Sequence, residues 1–141
     1  MKTFGTAEWS GGFKDGKGAI STKSGALDKY PYGVGARFEG KPGTNPEELI
    51  GASHAGCFTM ALSLFLGEAG ITAEHIETRS DVELEKDGEG FAVKKVHLTL
   101  KAKIPGTDEA TFQSIAKKAK EGCPISKLLT ATITMDATLL S

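Results

Sequence analysis

Two cysteines, Cys57 and Cys123, have the widest chemistry open to them in this 141-residue chain, and their settings differ. Cys57 lies within residues 49–66, a run without a single Asp, Glu, Lys or Arg. A thiol inside an apolar helix is ordinarily a small inert hydrophobe with a raised pKa. Cys123 stands between Gly122 and Pro124, the pattern of a helix start, where backbone N–H groups and the helix dipole favour a thiolate. Two such thiols can cycle between dithiol and disulfide if the fold brings them close, which spacing alone does not decide. Two cysteines cannot complete a four-ligand zinc site without His or carboxylate. His54, three residues before Cys57, would be the available addition.

The element that must carry Cys57 opens with helix-start chemistry. Asn45 suits the cap, Pro46 the first helical position, and Glu48 completes something close to a capping box. Glu47 and Glu48 also lie at the positive end of the helix dipole. Beyond them apolar residues point in every direction, which describes a helix buried in a core or in a membrane. The uncharged run only reaches the lower limit for a membrane span, is broken by Gly51, Ser53, His54, Gly56, Thr59 and Ser63, and has no flanking Lys or Arg. A central buried helix of a non-membrane protein is therefore expected. Such a helix needs cover from more than one direction; a sheet supplies one side, and a second copy of the chain, as a homodimer, would supply another.

The remaining elements follow from local patterns. Residues 4–9 and 19–22 read as strands joined by a turn at Lys14-Asp15-Gly16-Lys17, residues 27–32 as a loop carrying Pro31, and residues 33–38 as a third strand. Gly70 is placed to end the central helix. Ile76, Thr78, Ser80, Val82 and Leu84 alternate with Glu77, Arg79, Asp81, Glu83 and Glu85, a solvated strand face. In the next strand Phe91 and Val93 are out of phase with Val96, Leu98, Leu100, Ala102 and Ile104, which predicts a β-bulge at Lys94-Lys95. After Pro105-Gly106, Thr107 or Asp108 starts a helix with an apolar stripe of Ala110, Phe112, Ile115, Ala116 and Ala119. Cys123-Pro124 opens a short further helix, and residues 131–139 alternate as a last strand. The order is β-β-β-α-β-β-α-α-β, an α+β class with antiparallel sheets packed around the central helix, in one domain spanning residues 1–141.

Composition is that of an ordinary globular protein, with 25% charged residues and a net charge of −1. Interspersed charges leave no basic footprint for nucleic acid and no basic face for a membrane surface. The first residues lack the apolar core of a signal peptide, so the cytoplasm is the expected compartment, where paired cysteines are more often reactive than structural.

The stretch from Gly43 through Asn45-Pro46-Glu47-Glu48 to Cys57-Phe58, preceded by Tyr32-Gly33 and Arg37-Phe38 and followed by Gly122-Cys123-Pro124, strongly resembles the OsmC/Ohr family of thiol-dependent hydroperoxide reductases, most closely its osmotically inducible branch. The resemblance covers essentially the whole chain. It implies an intertwined homodimer whose two sites draw on both chains. It also implies a two-cysteine peroxidase without haem, flavin or metal, reducing organic hydroperoxides and taking electrons from an external dithiol such as a dihydrolipoyl group. By the same resemblance Cys57 is the peroxidatic thiolate and Cys123 the resolving thiol; Arg37 is the activating cation and Glu47 the carboxylate paired with it. In the organic-hydroperoxide-resistance branch the arginine sits earlier, in a turn whose counterpart here carries Lys14, so Arg37 fits the osmotically inducible placement.

Each residue also has a plainer reading. Arg37 is a surface charge, Glu47 and Glu48 serve capping, and His54 is a satisfied core histidine. Trp9, Tyr30 and Tyr32 line a pocket or fill a core. A non-catalytic redox sensor or binding protein using the same cysteine pair is the main alternative function. A metal site of Cys57, Cys123 and His54 is a thinner one.

Overall fold

The computed structural model describes all of Met1–Ser141. In chain order the elements are β1 (Gly5–Ser10), β2 (Lys17–Thr22), β3 (Tyr30–Tyr32), α1 (Val34–Phe38), α2 (Pro46–Glu68), β4 (His75–Asp87), β5 (Gly90–Lys103), α3 (Glu109–Gly122), α4 (Pro124–Leu128) and β6 (Thr132–Leu140). They fall into two compact units, Met1–Leu49 and Ile50–Ser141.

In the first unit β1, β2 and β3 form an antiparallel sheet in that order. The β1–β2 hairpin closes at Ser10 opposite Lys17, around the expected Lys14–Lys17 turn region. The third strand lies at Tyr30–Tyr32, where the sequence predicts a loop, and the predicted strand at residues 33–38 is the short helix α1. Tyr30 and Tyr32 have high strand propensity, and Pro31 is tolerated because β3 is an edge strand. After Gly33 the chain coils instead, with the Arg37 N–H donating to the Gly33 carbonyl at 3.0 Å. Gly18 lets this sheet carry its aromatic pair: a Cβ there would fall against the rings of both Trp9 and Tyr32.

Helix α2 begins and ends as its sequence dictates. The Glu48 N–H donates to Asn45 Oδ1 at 2.8 Å, and Asn45 Nδ2 returns a bond to Glu48 Oε1 at 3.1 Å. At the other end Gly70 adopts φ +73°, the Ile71 N–H reaches the Leu66 carbonyl at 2.9 Å, and the Gly70 N–H reaches that of Gly67 at 3.0 Å. Those two bonds are a Schellman cap, with Ile71 folded back on the core.

The second unit is a three-stranded sheet, β4-β5-β6, with α3 and the body of α2 contributing to its core. Leu98, Leu100 and Ala102 of β5 meet Phe58, Leu62 and Leu66 of α2 and Phe112, Ala116 and Ala119 of α3; all are essentially inaccessible. Ala110, assigned by its spacing to the α3 stripe, is exposed. Glu83 pairs with Lys95 and Leu84 with Val93, so Lys94 is the extra residue and the bulge falls where the phase shift predicts it. The expectation of purely antiparallel sheets requires correction. β6 pairs with β5 in parallel, from Lys95–Thr132 to Lys103–Leu140. The intervening helices α3 and α4 form the crossover that a parallel neighbour needs.

By length and composition α2 is long and apolar enough to cross a membrane, yet Gly51, His54, Phe58, Leu62 and Leu66 are buried in the protein. Gly51 allows close approach to β4: a Cβ there would sit 3.0 Å from the Ser80 carbonyl oxygen. The expected all-round burial is met on one face only. Ala52, Ser53, Gly56, Met60, Ser63 and Leu64 are exposed, Met60 at 76% and Leu64 at 60%.

Replacing Asn45 by Ala removes the α2 cap and is expected to destabilise the protein by about 1 kcal/mol in urea unfolding, whereas Asn45→Asp keeps the acceptor and most of the stability.

Candidate active site

Cys123 joins two helices. Its N–H donates to Ala119 O at 3.0 Å, ending α3, and its Sγ accepts the Ser126 N–H at 3.3 Å, opening α4. The expectation that Cys123 caps a short helix is thereby met. Gly122 fits this corner because a Cβ there would lie 3.2 Å from the Phe65 ring. Cys123 is wholly buried, Cys57 is half-buried, and both are free thiols.

The two thiols are neighbours, and their environment acts on Cys57 in opposing directions. Burial is the largest influence and pushes its pKa up, because a thiolate loses hydration in an apolar setting. The Ile125 backbone N–H, in the first turn of α4, pulls it down by favouring the anion. Cys123 pushes it up again, through its hydrogen bond and through charge repulsion. The net result is a raised pKa.

A polar chain runs behind Cys123. The Cys123 thiol donates to Ser126 Oγ at 3.1 Å; Ser126 Oγ lies 2.8 Å from His54 Nε2; and His54 Nδ1 lies 3.4 Å from Ser80 Oγ. His54 is fully buried, which lowers its pKa. With both ring nitrogens facing hydroxyls, it is the satisfied core histidine that the plainer reading expects. Nowhere do three or more His, Cys, Asp or Glu side chains gather as metal ligands. Sequence reasoning missed Ser126 and Ser80. The signal for Ser126 was its position three residues after a capping Cys123, where a cap side chain meets the helix.

In the first unit Arg37 and Glu47 form a forked ion pair. Arg37 Nε donates to Glu47 Oε2 at 3.1 Å and to Oε1 at 3.2 Å, and Nη2 also bonds Oε1. A bidentate pair of this kind fixes the guanidinium plane. Glu48, its neighbour, is the one that serves the cap. Beside Arg37 opens a mainly apolar cleft of about 330 Å³ lined by Trp9, Phe13, Tyr32, Val34, Phe38 and Pro46. Trp9 and Tyr32 thus line a pocket, meeting edge-to-face at 5.6 Å. Of the four expected site residues, Cys57 is brought to Cys123 and Arg37 to Glu47.

An α+β fold with two three-stranded sheets, two adjacent free thiols and a clamped arginine defines a class of thiol-based redox proteins. The family model described as "OsmC-like protein" matches residues 38–138. Peroxiredoxin OsmC of Escherichia coli is 56% identical over 137 residues, 97% of this chain and 96% of that protein. The organic hydroperoxide resistance protein OhrB of Bacillus subtilis is 36% identical over 110 residues, 78% of this chain and 79% of that protein. Its crystal structure superposes with a TM-score of 0.69, covering 97% of this chain and 98% of that one at 29% identity. The chain belongs to the OsmC-like family.

Under native conditions a small alkylating reagent is expected to label Cys57 well before Cys123, read by peptide mass after a short exposure. Equal labelling of the two would contradict the burial of Cys123.

Proposed function

We infer that this chain is a thiol-dependent hydroperoxide reductase that cycles Cys57 and Cys123 between dithiol and disulfide. The observation that carries the reading is the adjacency of two free thiols, one half-buried and one held at the head of α4. In the first step the Cys57 thiolate attacks the O–O bond, giving a Cys57 sulfenic acid and releasing an alcohol once the alkoxide is protonated. In the second, Cys123 attacks the sulfenic sulfur, forming the disulfide and expelling water. An external dithiol, which we propose to be of dihydrolipoyl type, then restores both thiols. Neither oxidation step calls on haem, flavin or metal.

The first step needs a thiolate, and burial opposes one. We assign the compensating charge to Arg37, which keeps its proton at any working pH and has donors for both the sulfur and the departing alkoxide. Glu47 holds it in place. As the family resemblance implies, a site uniting Cys57 with an Arg37–Glu47 pair is proposed to draw on two copies of the chain. The uncovered apolar face of α2, with Met60 and Leu64 among small residues, supports a homodimer. The aromatic cleft beside Arg37 supports a preference for peroxides with an organic group over hydrogen peroxide. We place the reaction in the cytoplasm, where the disulfide can be reduced again.

One equivalent of organic hydroperoxide added to reduced protein is expected to consume both thiols, release the alcohol and leave a Cys57–Cys123 disulfide; survival of both thiols would overturn the reading. Arg37→Met is expected to raise the pH at which Cys57 ionises and to lower kcat/KM by roughly 10²–10³-fold. An unaltered titration of Cys57 would mean that the cation lies elsewhere.

A further inference from the structure

Resolution is fastest when a base removes the Cys123 thiol proton as the sulfur attacks, before the departing hydroxide exists to accept it. Cys123 is the buried nucleophile of that step, and a neutral thiol is a poor one. Its S–H donates to Ser126 Oγ at 3.1 Å. With that position filled, the Ser126 hydroxyl hydrogen is free to point at His54 Nε2, 2.8 Å away. His54 Nε2 is then the acceptor, and Nδ1–H faces Ser80 Oγ at 3.4 Å. All four side chains lie within the unit Ile50–Ser141. Each is set by a different device: His54 by the buried face of α2, Ser80 by the inward face of β4, Cys123 and Ser126 by the capped first turn of α4.

We propose that His54, acting through Ser126, takes up the Cys123 thiol proton during disulfide formation, so that the line Cys123–Ser126–His54–Ser80 is a built-in base for resolution. The proposal rests on the reading of Cys123 as the resolving thiol. In the step, Cys123 sulfur gives its proton to Ser126 Oγ as Ser126 gives its own to His54 Nε2. The Cys123 sulfur then attacks the Cys57 sulfenic sulfur: the S–S bond forms, the S–O bond breaks, Cys123 sulfur is oxidised and Cys57 sulfur is reduced. The departing hydroxide takes up a proton and leaves as water while the imidazolium gives one up to solvent, so the net step is thiol plus sulfenic acid to disulfide plus water. Atoms and electrons balance without a further reagent.

The groups facing His54 suit this role. α4 presents the Ser126 hydroxyl and β4 the Ser80 hydroxyl. The titratable groups nearby are the thiols of Cys123, reached through Ser126, and of Cys57, one turn along α2. Burial keeps the imidazole neutral, lowering its pKa below the usual histidine value. Neutral imidazole is the form that accepts a proton, so resolution is fast at neutral pH and slows as the pH falls through that lowered pKa.

The test is rapid mixing of reduced protein with one equivalent of organic hydroperoxide, following sulfenic acid by trapping with a cyclic 1,3-diketone and disulfide by quenched-flow mass analysis, from pH 4.5 to 9. Wild-type resolution is expected to be level around neutrality and to fall on the acid side. Ser126→Ala is expected to slow resolution by on the order of 10²-fold, with sulfenic acid accumulating and the rate climbing with pH as solvent takes over the proton. Ser126→Thr, which keeps the hydroxyl, is expected to restore most of the rate, and His54→Asn to abolish the acid limb. Resolution at the wild-type rate in Ser126→Ala, or a wild-type profile without an acid limb, overturns the relay while leaving the peroxidase reading intact. Absence of both sulfenic acid and disulfide in the wild-type protein overturns the two together.

Discussion

The Cys57 thiol lies half-buried against Cys123, and burial is the largest influence raising its pKa, with Cys123 adding to it. A peroxidatic cysteine has to be sheltered enough to exclude water from its sulfenic acid, yet charged enough to attack an O–O bond. The two demands conflict in a low-dielectric setting. Within its own unit the chain offsets the penalty only in part, by aiming the Ile125 N–H at the sulfur. The rest must come from a full positive charge, which the proposed function assigns to Arg37.

Helix ends do much of the positioning. The first turn of α2 caps on Asn45 through Glu48, which leaves Glu47 free to clamp Arg37. The first turn of α4 caps on Cys123, which orients Ser126 towards His54. Both caps are short, local and encoded within four residues. The stretches between them are held by a core of Leu, Phe and Ala from α2, β5 and α3. Rigid scaffold and site therefore adjoin: Phe58, next to Cys57 in sequence, is itself wholly buried.

What the sequence revealed follows the range of the forces involved. The Asn45 cap, the Gly70 termination, the Lys94 bulge and the capping role of Cys123 depend on residues within a few positions, and each is found where its pattern puts it. β3 falls where a loop is expected and α1 where a strand is expected, because such short segments carry too little periodicity to separate the classes, and the edge position that excuses Pro31 is a tertiary fact. The direction of β6 was equally hidden, since its alternation of Ile133, Met135 and Ala137 with threonines and Asp136 fits parallel or antiparallel pairing alike. His54 and Ser126 are 72 residues apart, and no local pattern announces their hydrogen bond. The family resemblance rested on the longest and most specific of the local patterns, and the OsmC-like match bears it out.

The most direct test of the central claim, that Cys57 is activated by an arginine from a second copy, is complementation between two inactive variants. Cys57→Ser and Arg37→Met proteins would be unfolded together, refolded and assayed for hydroperoxide turnover. If the site draws on both chains, mixed dimers contain one intact site, and the mixture regains about a quarter of wild-type activity from random pairing of two subunits. If Arg37 and Cys57 of one chain act together, or if Arg37 is not the activating charge, the mixture does no better than its two components.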